Sequence, residues 1–110
     1  MNRTLLQEIT ALHAEVCAGL ADPTRIMILY TLADSAKNVT EIATALGMPQ
    51  PLISRHLKVL RDRGMVTSTR YGPMVEYCLG DHRLIEALDL LRAVLRDHLS
   101  NRAELAEQLS

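Results

Sequence analysis

Basic side chains are concentrated in the middle of this 110-residue sequence. Residues 50–75 carry five basic side chains against one acidic side chain, a local net charge of +4, whereas residues 1–49 have a net charge of −2 and residues 76–110 a net charge of −3. The five are Arg55, Lys58, Arg61, Arg63 and Arg70. Because binding of a polyanion depends on the local field more than on the overall charge, this stretch predicts a phosphate-binding surface. An ordinary solvated helix face is the alternative.

A second group of side chains could bind a metal or respond to oxidation. His13 and Cys17 lie four residues apart on one predicted helix face, and His82 follows Cys78 by four residues. Thiolates and imidazoles are ligands for zinc and softer metals, and two thiols can also form a reversible disulfide or persulfide bridge. A free cysteine is often simply a small buried hydrophobe. Three interpretations of Cys17 and Cys78 therefore remain open: metal ligand, thiol sensor, or no sensing role.

The composition predicts one globular domain over residues 1–110. Hydrophobic residues make up 48% and charged residues 23%, which excludes a disordered tail, a collagen and a transmembrane protein. Charges at Arg3, Glu8 and Glu15 interrupt any signal-peptide core, so we expect a cytoplasmic protein with no membrane contact. Two cysteines without a CxxC motif exclude a disulfide scaffold and a zinc finger.

Hydrophobic periodicity predicts the helices that must position these side chains. An amphipathic helix is predicted over residues 3–20, and Asp22-Pro23 is a typical start for a second helix, which runs to Leu32. Asn38 and Glu41 form a capping-box pattern that begins a third, short helix ending at Gly47.

The basic stretch begins with a fourth predicted helix, Gln50 to Arg63, whose apolar residues Ile53, Leu57 and Leu60 face inward. After it the pattern alternates, which predicts a β-hairpin with strands Met65 to Arg70 and Met74 to Leu79. Two helices joined by a glycine-containing turn and followed by a hairpin predict a winged helix-turn-helix, with the helix-turn-helix at residues 39–63 and the wing at residues 65–79.

A final helix is predicted over residues 81–108. Its leucine seam is longer than one small domain needs, so we expect the helices at 3–20 and 81–108 to dimerise across a twofold axis. The expected fold is thus mostly α-helical with a small β-hairpin wing, in the order of four helices, two strands and a fifth helix.

The polar face of the fourth helix carries the candidate DNA contacts. A major groove admits a helix, and glutamine and arginine are the preferred partners of adenine and guanine, so Gln50 and Arg55 are candidates for reading bases. Ser54, Lys58 and Arg61 suit phosphates, and Arg70 on the wing could reach a flanking minor groove.

Other functions are less well supported by the sequence. A winged-helix protein–protein interaction module without DNA binding is the main alternative. We do not expect an enzyme, because the nearest nucleophile and base, Ser54 and His56, point to different faces of one helix, and no glycine-rich phosphate loop is present. His56 is expected to pack locally.

Three segments resemble the ArsR family of metalloregulatory repressors. They are Asp22 to Leu32, Val39 to Ala43 and Gln50 to Leu60. The resemblance covers about residues 15–85 and implies a homodimeric winged-helix repressor on a palindromic double-stranded DNA operator. It also implies release by a metal or another small signal, with no cofactor required for DNA binding itself.

The sequence departs from the family at its usual sensing positions. Asn38-Val39-Thr40 stands where the arsenic and lead branch has Cys-Val-Cys, and Pro49 replaces a common capping serine. The positions of the zinc branch are Asp81, Arg83, Val94 and Asp97, so both imidazoles are lost. The identity of the signal therefore stays open between a metal ion, thiol oxidation or persulfidation, and neither of these.

Overall fold

A computed structural model describes residues 2–109 of the chain. Six α-helices and one three-stranded antiparallel sheet make up the described part of the chain. The helices are α1 (Arg3–Leu12), α2 (Ala18–Leu20), α3 (Pro23–Thr31), α4 (Val39–Leu46), α5 (Gln50–Asp62) and α6 (Arg83–Leu109). The strands are β1 (Lys37–Asn38), β2 (Val66–Tyr71) and β3 (Met74–Leu79). The fold is a winged helix-turn-helix, as the sequence predicts.

The N-terminal helix differs from the prediction of one regular helix over residues 3–20. It is interrupted by a π-helical segment, His13–Cys17, between α1 and α2. A π-helical turn leaves backbone carbonyls out of the regular ladder. Here Arg63 donates from one guanidinium nitrogen to the carbonyl oxygens of Ala14, at 2.6 Å, and Glu15, at 3.1 Å. This contact with a distant arginine is one that local periodicity does not reveal.

Capping interactions fix the ends of the central helices where the sequence predicts them. Asp22 caps α3 by accepting from the backbone N–H of Thr24 over 2.8 Å. Asn38 and Glu41 form the predicted capping box of α4, with distances of 2.8 and 3.0 Å. Gly47 ends α4 in the left-handed conformation at φ 64°, which glycine adopts without steric penalty.

The wing has three strands, in the order β1-β3-β2, and not two. Lys37 and Asn38 pair with Tyr77 and Glu76, and these two residues are too few to show an alternating pattern in the sequence. The first strand of the hairpin runs from Val66 to Tyr71 and not from Met65 to Arg70 as predicted, and Tyr71 pairs with Met74. The hairpin therefore turns at Gly72 and Pro73, with Gly72 at φ 61°.

An aliphatic core holds the helix-turn-helix to the base of the wing. Its fully buried side chains come from α3, α4, α5 and β2; they are Ile28, Leu29, Ile42, Ile53, Leu57, Leu60 and Val66. The inward face predicted for the basic helix is thus confirmed. Because α3, α4 and α5 bury one another's apolar faces, the position of α5 is fixed by the core.

The final helix extends from Arg83 to Leu109 and so begins two residues later than predicted. At 1.5 Å per residue, its 27 residues extend about 40 Å. It is attached to the body by Leu88, which is buried, and by the hydroxyl of Tyr30, which donates to Asp89 over 2.6 Å. None of the helices in residues 2–109 is long and apolar enough to cross a membrane.

The terminal helices leave most of their large apolar side chains exposed within one chain. Leucine, isoleucine and valine side chains of α1 and α6 are between 42% and 80% exposed. They are Leu5, Leu6, Ile9, Leu12, Leu90, Leu91, Val94, Leu95, Leu99, Leu105 and Leu109. Exposed apolar side chains in this number are typical of a protein interaction surface.

Candidate nucleic-acid interface

The burial of one face of α5 directs its polar side chains to the opposite face. Ile53, Leu57 and Leu60 are fully buried, and the intervening Ser54, Arg55, Lys58 and Arg61 are all exposed. A helix repeats every 3.6 residues, so this spacing gives one apolar and one basic face. The second helix of the helix-turn-helix therefore presents its cations to the surroundings.

The basic side chains of this face differ in their partners. Lys58 forms an ion pair with Asp62, with Nζ 2.9 Å from Oδ2. This hydrogen bond also holds the pKa of Asp62 below its usual value. Arg55, Arg61 and Arg70 have no ion pair within residues 2–109, so their guanidinium groups are free for an external anion.

Gln50 is the first residue of α5 and is exposed. Its amide nitrogen donates to Oγ1 of Thr40, in the first turn of α4, over 3.1 Å. Pro49 precedes it as the N-cap and provides no side-chain cap, as expected from the sequence. The first turn of α5 is thus tied to α4 through a side chain.

A cleft of about 410 Å³ separates the exposed face of α5 from the wing. Neutral polar groups of Asn38, Thr40, Ser54 and Tyr77 line it, together with apolar side chains near the hairpin turn. Arg70 is exposed in β2, beside that turn. The helix, the cleft and the wing therefore form one continuous surface.

Arg63 belongs to the basic stretch but not to this surface. It is half-buried at the end of α5, where its guanidinium binds the π-helical segment. Arg25 has a similar role, since its guanidinium donates to the carbonyl oxygens of Gly19, at 2.7 Å, and Ala18, at 3.2 Å. Arg63 thus attaches the N-terminal helix to the end of α5, and Arg25 attaches it to α3.

His56 packs locally and not on the exposed face. It is half-buried, and its Nδ1 lies 3.4 Å from a guanidinium nitrogen of Arg25. Ser54 is exposed. The two side chains therefore lie on different faces of α5, which is not the arrangement of a nucleophile and its base.

The candidate sensor residues lie in two separate places. His13 and Cys17 are both exposed in the π-helical segment. Cys78 is half-buried in β3, with its sulfur 3.0 Å from Oγ1 of Thr67 on β2, and His82 is exposed between β3 and α6. Within residues 2–109 of one chain, no group of three or more His, Cys, Asp or Glu side chains is arranged to hold a metal ion.

Asp81, one of the positions implied by the family resemblance, is paired with an internal cation. The guanidinium of Arg83 lies 2.6 Å from one carboxylate oxygen, and the backbone N–H of Arg83 donates to the other over 2.9 Å. These contacts lower the pKa of Asp81 to about 2. The carboxylate is thus engaged by both the guanidinium and the backbone N–H of Arg83.

The sequence did not reveal three of the side chains that organise this region. Thr40, Arg25 and Arg63 act through contacts with residues 6 to 49 positions away along the chain. The positive charge of Arg63 was visible in the sequence, but its orientation was not. Arg63 differs from Arg61 because the N-terminal helix packs against Arg63 and leaves Arg61 exposed.

Comparison with known proteins gives concordant results. A family model described as "Bacterial regulatory protein, arsR family" matches residues 22–68. The HTH-type transcriptional repressor SmtB of Mycobacterium tuberculosis is 45% identical over 78 residues, which are 71% of this chain and 58% of SmtB. The chain thus spans less than two thirds of that relative. A probable mercury resistance operon repressor of Streptomyces lividans is 32% identical over 83% of this chain and 76% of that protein.

A solved structure has the same architecture over nearly the whole chain. It is the homodimeric winged helix-turn-helix DNA-binding domain of Mb0332 from Mycobacterium bovis, a possible ArsR-family transcriptional regulator. The TM-score is 0.75 at 28% sequence identity, and the match covers 92% of this chain and 93% of that domain.

Proposed function

Because this chain belongs to the ArsR family of bacterial regulatory proteins, we propose that it is a homodimeric, sequence-specific DNA-binding repressor. The observation that carries the proposal is the exposed basic face of α5, opposite the buried Ile53, Leu57 and Leu60. This helix is the second of the helix-turn-helix, which is the position of a helix that enters the major groove.

The individual contacts follow from side-chain chemistry. Arg55 reads a guanine and Gln50 an adenine, since their planar groups can each form two hydrogen bonds to a base edge. Ser54, Lys58 and Arg61 bind phosphates, and Arg70 on the wing reaches the adjacent minor groove. Lys58 exchanges its partner Asp62 for a phosphate, and an exposed ion pair of this kind contributes little to stability.

The terminal helices form the dimer interface in this proposal. The first turns of α6 pack against the body through Leu84, Ile85 and Leu88, whereas Leu91, Leu95 and Leu99 continue the same apolar stripe and are exposed. A second copy would cover this exposed continuation, and the solved domain of Mb0332 is homodimeric. A twofold axis there would place two α5 helices about 34 Å apart, one turn of DNA.

The domain organisation follows from these roles. We propose one winged helix-turn-helix domain over residues 1–110, with dimerisation helices at 3–20 and 81–108. The helix-turn-helix occupies residues 39–63 and the wing residues 65–79. Repression results from occlusion of a promoter by the bound dimer.

Two kinds of releasing signal are supported by an observation on this chain, and a third possibility is an inducer that does not act on the cysteines. A metal ion is supported by the name of the mercury resistance relative and by the ligand types of His13, Cys17, Cys78 and His82. Thiol oxidation or persulfidation is supported by the exposure of Cys17. A ligand site formed from both pairs would need side chains of both protomers.

Fluorescence anisotropy with DNA from the protein's own promoter region tests the function. We expect binding to weaken steeply with salt, because phosphate contacts release counterions. Arg55→Ala should reduce sequence preference, whereas Lys58→Ala should weaken binding to all sequences alike. Arg96→Ala, which removes an equal charge from the exposed surface of α6, is the matched control and should leave binding unchanged.

Two results would contradict the proposal. Equal affinity of wild type, Arg55→Ala and Lys58→Ala would exclude α5 as the DNA-binding helix. Absence of salt-sensitive DNA binding would favour the alternative, a protein–protein interaction module. Cys17→Ser and Cys78→Ser variants, titrated with diamide or with zinc, arsenite, cadmium or mercuric ion, distinguish the two signals.

A further inference from the structure

A hydrogen bond between two exposed side chains joins the first turns of α4 and α5. Gln50 Nε2 donates to Thr40 Oγ1 over 3.1 Å. Neither residue contributes to the core, since both are exposed. A contact between two exposed polar side chains contributes little to folding, so its effect on the orientation of Gln50 is of greater interest.

We propose, on the basis of the DNA-binding function above, that Thr40 is a positioning residue for Gln50 and thereby determines base preference at one base pair of the operator. Thr40 holds the Gln50 amide in one orientation before DNA arrives. Gln50 then reads the base, and Thr40 acts through it.

The chemistry of the amide allows both contacts at once. A glutamine side chain has two N–H groups and one carbonyl oxygen. Thr40 engages one N–H, and the amide oxygen accepts no hydrogen bond from residues 2–109. The remaining N–H and the oxygen are the donor and acceptor that match N7 and the N6 amino group of adenine.

Thr40 is a rigid anchor, whereas Gln50 is flexible. Threonine is branched at Cβ and has few rotamers. Its turn of α4 is fixed by the capping box between Asn38 and Glu41. Gln50 has three side-chain torsions and stands at the start of α5, where Pro49 makes no side-chain cap. Ordering such a side chain only when DNA binds would weaken the contact by about two- to ten-fold.

The location of the pair matches this role. Thr40 lines the cleft between α5 and the wing, and so does Ser54, one turn along α5 from Gln50. Ile42 of α4 and Ile53 of α5 are both fully buried, so the core keeps Thr40 at a constant position relative to α5. The hydroxyl of Thr40 can therefore orient Gln50 without any movement of the backbone.

A double-mutant cycle tests the proposal on the full chain. Binding sites are first selected from a random double-stranded DNA library, and affinities are then measured for every single base-pair substitution of the selected site. The variants are Thr40→Val, Gln50→Ala and the double variant. Thr40→Ser, which retains the hydroxyl, is the matched control.

We expect Thr40→Val to reduce discrimination by about three- to ten-fold at the base pair that Gln50→Ala also affects. Other base pairs should keep their preferences, and Thr40→Ser should retain the wild-type profile. The double variant should match Gln50→Ala alone, because Thr40 has nothing left to position.

Three outcomes would overturn the inference. One is a base profile that Thr40→Val leaves unchanged, and another is an effect of Thr40→Val at a different base pair from Gln50→Ala. A uniform loss of affinity that persists in the Gln50→Ala background would show that Thr40 binds the DNA backbone directly. If Thr40→Val does not fold, Thr40→Ala gives the same comparison. If wild type selects no site at all, the repressor function itself fails before any variant is compared.

Discussion

At the scale of single residues, identical side chains have different roles according to their neighbours. Arg61 and Arg63 are two positions apart, yet Arg61 is exposed and Arg63 is half-buried against the carbonyl oxygens of Ala14 and Glu15. A surface charge count assigns both to a phosphate-binding face. Within the basic stretch, Arg55, Arg61 and Arg70 are exposed and form no ion pair with residues 2–109, and these three are the stronger candidates for DNA contacts.

Asp81 gives a residue-scale prediction about pH. Its pKa is lowered from 3.8 to about 2 in the folded chain, chiefly by the guanidinium of Arg83. A carboxyl group with a depressed pKa stabilises the fold above its unfolded pKa, and this contribution disappears as pH falls from about 4 to 2. We therefore expect Asp81→Asn to melt below wild type at pH 6 and to melt with it near pH 2, in thermal unfolding followed by circular dichroism.

A matched variant separates this effect from general charge loss. Asp97 is an exposed carboxylate with no hydrogen bond or ion pair within residues 2–109. Asp97→Asn should melt close to wild type at every pH between 2 and 6. A melting difference for Asp81→Asn that stayed constant down to pH 2 would show that the Arg83 contact does not stabilise the fold electrostatically.

At the scale of elements, the junction between the wing and α6 requires a close approach of two backbone segments. The N–H of Gly80 donates to the carbonyl oxygen of Met65 over 3.0 Å. A Cβ atom at Gly80 would collide with the carbonyl oxygen of Gly64 and lie 3.2 Å from the carbonyl carbon of Met65. Backbone atoms cannot move aside as a flexible side chain can.

Gly80→Ala should therefore destabilise the protein by about 2–3 kcal/mol, in the range of overpacking substitutions. Gly72→Ala is the comparison, because a Cβ atom at Gly72 would lie in open space. Only the backbone strain of a side chain at φ 61° should destabilise this variant, by about 1 kcal/mol. Urea unfolding of both variants measures the difference. A Gly80→Ala variant as stable as Gly72→Ala would refute the close approach.

Local sequence patterns predict the elements that depend on interactions between residues close together along the chain. The Asp22 cap, the Asn38–Glu41 capping box and the buried face of α5 all depend on residues within a few positions of one another. The π-helical segment and β1 depend on partners far along the chain, namely Arg63 and Tyr77. No periodicity within a short window contains that information. For the same reason, the sequence predicts Gln50 as a DNA contact but does not predict its hydrogen bond to Thr40.

At the scale of the whole molecule, the apolar faces of α1 and α6 bear on assembly. Leu91, Val94 and Leu95 are each more than half exposed within one chain. In the proposed dimer they are covered by the partner. A charge placed among them would have to be buried without a counterion, which is strongly unfavourable.

Leu95→Glu should therefore convert the dimer into monomers in sedimentation equilibrium and reduce DNA affinity by at least about ten-fold, since two half-sites can no longer be bound together. Ser100→Glu adds the same charge on the polar side of α6 and should leave both properties unchanged. A dimeric Leu95→Glu protein would show that another surface mediates assembly.

The uneven distribution of charge also affects how the protein would find DNA. The chain has an overall charge of −1, but residues 50–75 carry +4 and both flanking stretches are acidic. The positive charge of α5 and the wing would therefore favour encounters in which this surface faces the nucleic acid. Salt limits the reach of the electrostatic field to about 8 Å near physiological ionic strength. We therefore expect the association rate constant for DNA to fall as the salt concentration rises.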